Sequence, residues 1–415
     1  MKGIRAFQRR IVLAALFVTA ATGCSSNPNE PPAPISSLPR ELTAAESQVV
    51  LRSNRFAFDL LRRASAPDSN TFISPLSVSM ALGMTMNGAA NATLDSMRAT
   101  LGYEGMSLAD INTGYRGLID LLRGLDRTTD MRVANSVWFK SGLAADPDFS
   151  AALLASFDAK VQPLDFGLPS APETMNTWVD EATNGRIEEI IGEIPPDAVM
   201  YLINAIYFKA KWVERFKVED TQPGPFAAAF GGAQSVPMMR GRIAFAKTYQ
   251  PNFAVAELRY GNEAFVMDLL LPSPGTELNA IVDSLTAERW DALMAAMSEP
   301  DEGSVSLPRF KMEYERLLND DLAALGMANA FTDGVADFRN IFTPNDPGPF
   351  ISQVKHKTFV EVNEQGTEAA AVTSVEMTVT SAPPSFDFDR PFLLVIRERF
   401  SGTILFMGTI LRVPE

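Results

Sequence analysis

The run from residue 361 to residue 381, EVNEQGTEAAAVTSVEMTVTS, most constrains what this chain can fold into. An alternating strand pattern over residues 359–362 leads into it, and Gly366 then interrupts that pattern. The residues after Gly366 are mostly small, and such side chains bury too little apolar surface to hold a segment in a core. The run contains no further glycine and no proline before Pro383, so it can still form a β-strand.

The two faces that this run would have as a strand differ in charge, because side chains alternate between the faces of a strand. One face contains only uncharged side chains, namely Thr367, Ala369, Ala371, Thr373, Val375 and Met377. The opposite face contains both glutamates, Glu368 and Glu376. A segment that stays in solvent has no reason to keep one face uncharged, so the pattern predicts a segment that enters a β-sheet.

This run resembles the hinge and reactive-centre loop of the serpins, a family of protease inhibitors. The matching pattern, E-x-x-E-x-G-T-E-A-A-A-x-T, is formed by Glu361, Glu364, Gly366, Thr367, Glu368, Ala369, Ala370, Ala371 and Thr373. Downstream, residues 386–396 (FDFDRPFLLVI) resemble the family signature, and residues 405–408 (LFMG) resemble its closing strand. The three matches occur in the family's order, and the resemblance covers about residues 43–414.

The resemblance implies both a fold and a mechanism. The implied fold is the α+β serpin fold, with a mixed main β-sheet, two smaller sheets, about eight to nine helices and an exposed reactive-centre loop at about residues 364–386. The implied mechanism is suicide-substrate inhibition of serine proteases, in which the loop is cleaved and inserts into the main sheet, trapping the acyl-enzyme. Family spacing counted from Gly366 or from Pro391 gives the same cleaved bond, Thr380–Ser381. The uncharged side chains before this bond favour an elastase-like or subtilisin-like target.

Three alternatives stay open at this point. The first is that the cleaved bond is shifted to Val379 or Met377. The second is that the target is a cysteine protease, and the third is that the protein is a non-inhibitory serpin. A non-inhibitory member would act as a binding or chaperone-like protein of the cell envelope. Such members often carry charged or bulky residues on the inserting face of the hinge, and this chain does not, which favours inhibition.

The resemblance also implies a set of residues around the site of loop entry and the polar centre beneath the main sheet. These residues are Ser74, Ser77, Asn204, Trp212 and His356. All but Asn204 also have a purely structural interpretation: Ser74, which precedes Pro75, and Ser77 cap a helix, Trp212 is a core aromatic, and His356 is a hydrogen-bonded core histidine. In the family the position of His356 is bonded near that of Asn204, and we expect the same here.

The overall charge excludes some classes of partner. The chain carries 36 basic and 50 acidic residues, a net charge of −14, which argues against a nucleic-acid or polyanion surface. Hydrophobic residues make up 46% of its 415 residues, enough for a sizeable core. No internal linker or repeat divides the sequence, so we expect one large domain and a monomer.

The first residues have the features of a bacterial lipoprotein signal. Four basic residues precede an apolar run over residues 11–21, which is too short to span a bilayer as a mature helix. The sequence Thr22-Gly23-Cys24 resembles the end of a lipobox, although Ala21 stands where leucine is usual. We therefore predict an extracytoplasmic protein that meets a membrane only through a lipid on Cys24, with plain secretion as the alternative.

These features predict three parts of the chain. Residues 1–23 form the signal peptide, residues 24–41 a Pro/Ser-rich tether, and residues 42–415 the serpin domain. Cys24 is the only cysteine, so no disulfide can form within the domain.

The single histidine, His356, limits catalytic alternatives. A Ser-His-Asp or Cys-His hydrolase would need it, but the chain has no G-x-S-x-G elbow and Cys24 lies outside the domain. A zinc site normally needs several His or Cys ligands, and no calcium-loop or phosphate-loop pattern occurs. We therefore expect no enzymatic activity, no metal and no cofactor.

Overall fold

The computed structural model describes residues 33–196, 198–344, 349–367 and 384–414. Within these ranges the chain forms nine α-helices. They are α1 (Ala44–Ala64), α2 (Pro75–Met86), α3 (Asn91–Thr100), α4 (Leu108–Gly124), α5 (Pro147–Phe157), α6 (Ala171–Ala182), α7 (Leu278–Ser284), α8 (Ala287–Ala295) and α9 (Asn319–Leu322).

The same ranges contain fifteen strands. They are β1 (Thr71–Ile73), β2 (Asp130–Lys140), β3 (Lys160–Leu164), β4 (Met200–Lys211), β5 (Gln222–Phe226), β6 (Gln234–Tyr249), β7 (Phe253–Tyr260), β8 (Phe265–Pro272), β9 (Asp301–Pro308), β10 (Phe310–Leu317), β11 (Lys355–Asn363), β12 (Gly366–Thr367), β13 (Ser385–Asp387), β14 (Phe392–Glu398) and β15 (Ile404–Ile410).

Six strands form the main sheet, in the order β10-β11-β12-β4-β2-β3. All neighbours are antiparallel except β2 and β3, which are parallel, so the sheet is mixed. β11 alternates strictly between half-buried and buried residues, the period-two pattern of a strand with one face on a core. Its last residues are the alternating run that precedes the hinge in the sequence.

The other nine strands are joined through the 16-residue strand β6. Residues 246–249 of β6 pair with β7 in a ladder that continues through β8, β14 and β15 to β1. Residues 238–245 pair with β9, which pairs in parallel with β13, and residues 234–238 pair with β5. The two smaller sheets are therefore continuous through one strand. The predicted α+β architecture, with a mixed main sheet, smaller sheets and eight to nine helices, is confirmed.

Helices α2 and α6 both pack on the central strands of the main sheet. α2 begins with Pro75 at its first position, is buried along almost its whole length and contacts both β4 and β15, which places it between the sheets. α6 lies over β2 and β4 and buries a separate apolar cluster around Trp138, Met175 and Val179. The centre of the main sheet is therefore in contact with helices.

The nine strands joined through β6 are called the second sheet below, and a buried charge cluster connects its central strands β7, β8 and β14. The guanidinium of Arg397 in β14 donates to Asp268 of β8 at 2.6 Å and to Glu257 of β7 at 2.7 Å. Arg397 and Asp268 are 3% and 0% exposed. Burial, and secondarily the nearby Glu257, raise the pKa of Asp268 to about 6, and Arg397 opposes this shift.

Part of the predicted tether lies on the domain. Ile35 and Leu38 pack against the core. The backbone N–H of Ile35 donates to the carbonyl of Asn262 at 2.9 Å, and Arg399 donates to the carbonyl of Ile35 at 3.1 Å. Ile35 and Leu38 thus contact the domain although they precede its predicted start at residue 42.

No helix in residues 33–414 that the structure describes is long and apolar enough to cross a bilayer.

Candidate functional site at the centre of the main sheet

Gly366 of the hinge and Thr367, the first residue of the predicted inserting segment, lie inside the main sheet. Thr367 pairs with Val362 of β11 on one side and with Ala210 of β4 on the other. Gly366 pairs in the same way with Asn363 and Lys211. Below this point the described residues of β4 and β11 form no ladder with each other. The hinge therefore lies between β4 and β11 at the C-terminal ends of these two strands.

Glycine is the only residue type that fits at position 366. Its φ is +148°, a backbone conformation that L side chains rarely adopt. A Cβ added there would lie 2.1 Å from the carbonyl oxygen of Ala210 and 2.7 Å from the Cα of Lys211. The absence of a side chain allows the hinge to turn back against β4.

Trp212 and Tyr260 surround the entry point. The two rings are stacked, with centroids 4.4 Å apart and planes 12° apart. Trp212 donates from Nε1 to the carbonyl of Asn363 at 3.0 Å and from its backbone N–H to the carbonyl of Gln365 at 2.9 Å. Trp212 thus contacts the hinge backbone and is also a buried core aromatic. Its role at the site of loop entry and its structural interpretation are therefore compatible.

Tyr260 is the hinge contact that the sequence did not reveal. Its hydroxyl lies 2.8 Å from the hydroxyl of Thr367, and both residues are buried. Burial raises the pKa of Tyr260, opposed by the hydrogen bond with Thr367, so the phenol is protonated at neutral pH. Tyr260 ends β7 without any local motif, and no pattern in the sequence relates it to Thr367.

The two glutamates of the hinge pattern that lie in the described residues, Glu361 and Glu364, differ in environment. Glu364 is 5% exposed, and its carboxylate accepts from Thr221 Oγ1 at 2.7 Å and from Arg309 Nη1 at 3.2 Å. Its burial is therefore compensated by a hydroxyl and a cation. Glu361 is half-buried, lies opposite Lys311 in the β10–β11 ladder and accepts from Asn363.

Ser74 and Ser77 lie under the main sheet at the start of α2. The hydroxyl of Ser74 accepts from the backbone N–H of Ser77 at 3.4 Å and donates to the carbonyl of Leu405 at 2.7 Å. Ser74 is therefore both a helix cap and a buried polar contact. The hydroxyl of Ser77 donates to the amide oxygen of Asn204 in β4, whose amide nitrogen donates to Asn135 in β2.

His356 of β11 also contacts the start of α2. Its Nε2 accepts the backbone N–H of Ser74 at 3.0 Å, so this nitrogen is unprotonated. Burial lowers the pKa of His356 to about 4. The expected bond near Asn204 is not present among the described contacts. Both residues contact the start of α2 instead, His356 through the backbone of Ser74 and Asn204 through the hydroxyl of Ser77.

The remaining predicted site residues lie outside the described ranges. These are Cys24, Glu368, Ala369, Ala370, Ala371, Thr373, Thr380 and Ser381. The described chain resumes at Pro384 and enters β13, which pairs with β9 in the second sheet. Within the described residues no group of three or more His, Cys, Asp or Glu side chains could hold a metal ion.

Comparison with known proteins identifies the family. The family profile described as Serpin (serine protease inhibitor) matches residues 51–413. The chain belongs to the serpin family. Serpins are protease inhibitors, and proteases are the partners of the family. The leukocyte elastase inhibitor of Homo sapiens is 33% identical to this serpin over 380 residues, spanning 87% of this chain and 98% of the relative.

Solved serpin structures share the fold. A thermophilic serpin, tengpin, in its native state has a TM-score of 0.82 and 30% identity, covering 92% of this chain and 97% of that one. Human thyroxine-binding globulin complexed with its hormone has a TM-score of 0.82 and 27% identity, covering 90% and 100%. The serpin fold implied by the sequence is therefore confirmed.

Proposed function

We propose that this serpin is a suicide-substrate inhibitor of serine proteases, which it traps by inserting its cleaved loop between β4 and β11. One observation carries the proposal: Gly366 and Thr367 already pair with both strands. The inserting segment would continue from Thr367 in the same direction. The uncharged sequence face that begins at Thr367 suits a position inside a sheet.

The reaction has three steps. The protease serine attacks the carbonyl carbon of Thr380, the Thr380–Ser381 bond breaks, and the amine of Ser381 leaves with a proton. Thr380 is then joined to the protease as an acyl ester. Insertion of the segment from Thr367 carries that ester, and the protease with it, along the main sheet before water hydrolyses it.

The free energy of insertion is large enough to drive this step. A new strand between β4 and β11 forms about ten backbone hydrogen bonds, each worth about 0.5–1.5 kcal/mol net. Burial of side chains adds about 25 cal/mol per Å² of apolar surface. Distortion of the trapped protease slows deacylation, because each lost oxyanion-hole donor reduces its rate by about 10²–10³.

The sequence before the cleaved bond supports the choice of target. Met377, Val379 and Thr380 are uncharged and of modest size, which suits an elastase-like or subtilisin-like pocket rather than one with a buried acid. A relative of this chain is named as an elastase inhibitor. A cysteine protease is the alternative target. The other alternative, a binding role, is represented by the globulin crystallised with thyroxine.

A gel of boiled samples tests the proposal. The protein is mixed separately with pancreatic elastase, subtilisin, trypsin and papain, and then denatured in detergent. We expect a band near the summed masses with elastase or subtilisin and cleaved inhibitor alone in the same lane for Thr367→Arg. In that variant a cation at a 4% exposed position would stop insertion.

The matched control places the same change at an exposed threonine. Thr332→Arg lies outside the hinge, and it should trap protease like the wild type. Covalent trapping by Thr367→Arg at the wild-type ratio of inhibitor to protease would contradict insertion. Cleavage without trapping by all four proteases, and no gain in the thermal stability of the cleaved wild type, would favour the non-inhibitory alternative.

We also propose that the protein is an extracytoplasmic lipoprotein anchored through Cys24. The signal features of residues 1–23 and the predicted tether after them support this proposal. Growth with labelled palmitate should label the wild type and leave Cys24→Ala unlabelled. Equal labelling of both would reject the anchor, and release of unlabelled wild type into the medium would favour plain secretion.

A further inference from the structure

A cleft adjoins the hinge where the starts of β6 and β10 meet the C-terminal end of the described chain. Its volume is about 500 Å³. Three cationic side chains line it, Arg309, Lys311 and Arg412, against one carboxylate, Glu361. This local excess of positive charge occurs in a chain whose net charge is −14.

Two of the three cations have no carboxylate oxygen of the described residues within 4.0 Å. Lys311 lies opposite Glu361 in the strand ladder, but its Nζ stands over the ring of Phe359 at 5.3 Å from the centroid. Arg412 donates from Nη1 to the carbonyls of Phe230 at 3.2 Å and Gly232 at 3.4 Å. An arginine has five N–H donors, and these contacts use only one of its nitrogens.

The third cation connects the cleft to the hinge. Arg309 lines the cleft and also donates from Nη1 to Glu364 at 3.2 Å. The side chain of Arg309 is 47% exposed, whereas that of Glu364 is 6% exposed. Arg309 can therefore turn toward a second anion, while the buried carboxylate of Glu364 is held in place.

We propose that this cleft binds a small anion that carries two or more phosphate or carboxylate groups. Its volume lies in the range of small-molecule sites, about 300–1,000 Å³. The flat guanidinium groups of Arg309 and Arg412 can each bind such a group through two nitrogens. The acidic charge of the whole molecule disfavours a long polyanion, which would have to extend beyond the cleft.

Anion binding in the cleft is coupled to the contact between Arg309 and Glu364 of the hinge. A bound anion is a second partner for Arg309 and competes with Glu364 for it. Because such coupling is reciprocal, removing the charge of Glu364 should strengthen anion binding. The sequence gives no sign of this cleft, since Arg412 is about 100 residues from Arg309 and Lys311 and the three form no basic cluster in the sequence.

Titration calorimetry of the intact protein tests the proposal, with pyrophosphate and citrate as probes at constant ionic strength and acetate as the monovalent comparison. We expect both probes to bind more tightly than acetate. Lys311→Ala and Arg412→Ala should each weaken binding about tenfold, the loss of one charged hydrogen bond. The control Arg55→Ala removes an exposed arginine that pairs with Glu288 elsewhere, and it should bind like the wild type.

The coupling is tested in the same experiment. Glu364→Gln should bind pyrophosphate several-fold more tightly than the wild type, and this gain should vanish in an Arg309→Ala background. Arg412→Gln replaces Arg412→Ala if the alanine variant does not fold, as judged by thermal unfolding.

Two results would overturn the assignment: probes that bind no better than acetate, or variants at Lys311 and Arg412 that bind like the wild type. An unchanged affinity in Glu364→Gln would overturn the coupling. No protease is used, so the outcome is independent of the proposed inhibitory function.

Discussion

The hydroxyl of Tyr260 lies 2.8 Å from the hydroxyl of Thr367. Tyr260 ends a strand of the second sheet, and Thr367 is the first residue of the uncharged face predicted to enter the main sheet. A residue of the second sheet thus contacts the start of the loop, which lies in the main sheet. This contact defines the point from which insertion would proceed.

Tyr260→Phe removes this hydrogen bond and keeps the ring stacked on Trp212. It leaves the hydroxyl of Thr367, a 4% exposed residue, without this partner, so we expect the free energy of unfolding to fall by about 1–3 kcal/mol. Urea denaturation measures the change. Tyr249→Phe is the control, because Tyr249 is 60% exposed, and it should alter stability by less than about 0.5 kcal/mol. Equal values for both variants would mean that the hinge contact does not stabilise the protein.

Gly366→Ala should disrupt the pairing of the hinge with β4. Both this change and Gly142→Ala place a side chain at positive φ, which costs about 1–3 kcal/mol. Only at Gly366 does the new Cβ also meet backbone atoms, since nothing lies within 4 Å at Gly142. The midpoint of thermal unfolding should therefore fall further for Gly366→Ala. Similar midpoints for the two variants would contradict the close approach of Gly366 to Ala210.

His356 should make stability depend on pH below neutrality. Burial lowers its pKa in the folded protein to about 4 from its ordinary value of 6.5, so the unfolded chain binds the proton more readily between these values. The stabilisation is complete above about pH 6.5 and is lost as the pH falls toward 4, by on the order of 3 kcal/mol.

The test of this pH dependence is direct, because His356 is the only histidine. Its single imidazole resonance in an NMR titration should keep its neutral chemical shift down to about pH 5. His356→Gln should lose less stability between pH 7 and pH 5 than the wild type. An imidazole that titrates near pH 6.5 in the folded protein would be inconsistent with its burial against Ser74.

Arg397→Leu should be among the most destabilising single changes in the second sheet. It would leave the buried carboxylates of Asp268 and Glu257 without Arg397, and breaking a buried pair in this way costs about 3–5 kcal/mol. The loss should be smaller at pH 5 than at pH 7.5, because burial raises the pKa of Asp268 and protonation then neutralises its carboxylate. The exposed pair of Arg55 and Glu288 provides the comparison, and Arg55→Ala should cost no more than about 1 kcal/mol.

Much of the fold and part of the site followed from local sequence patterns. The alternation before the hinge predicted the end of β11, and Gly366 and Thr367 lie between β4 and β11, where the proposed inserted strand would begin. These features depend on period-two side-chain placement and on glycine, both of which are visible in a few consecutive residues.

Contacts between distant segments could not be read in this way. Tyr260 meets Thr367 because two sheets touch at one corner, and Arg309 meets Glu364 because β10 adjoins β11. His356 bonds to the backbone of Ser74, which no side-chain pattern encodes. Ile35 lies in a stretch whose composition resembles a tether, and its contact with the domain depends on the backbone carbonyl of the distant Asn262.

The two ends of the loop belong to different sheets, since β12 lies in the main sheet and β13 pairs with β9 in the other. In the proposed reaction, the new end at Thr380 would travel along the 12 residues of β4, about 40 Å, while Ser381 stays near β13. Religation requires the two ends to meet again within bonding distance, and the inserted strand would prevent this. Each molecule would therefore act once, and the amount of protease neutralised would be limited by synthesis of new inhibitor rather than by its affinity.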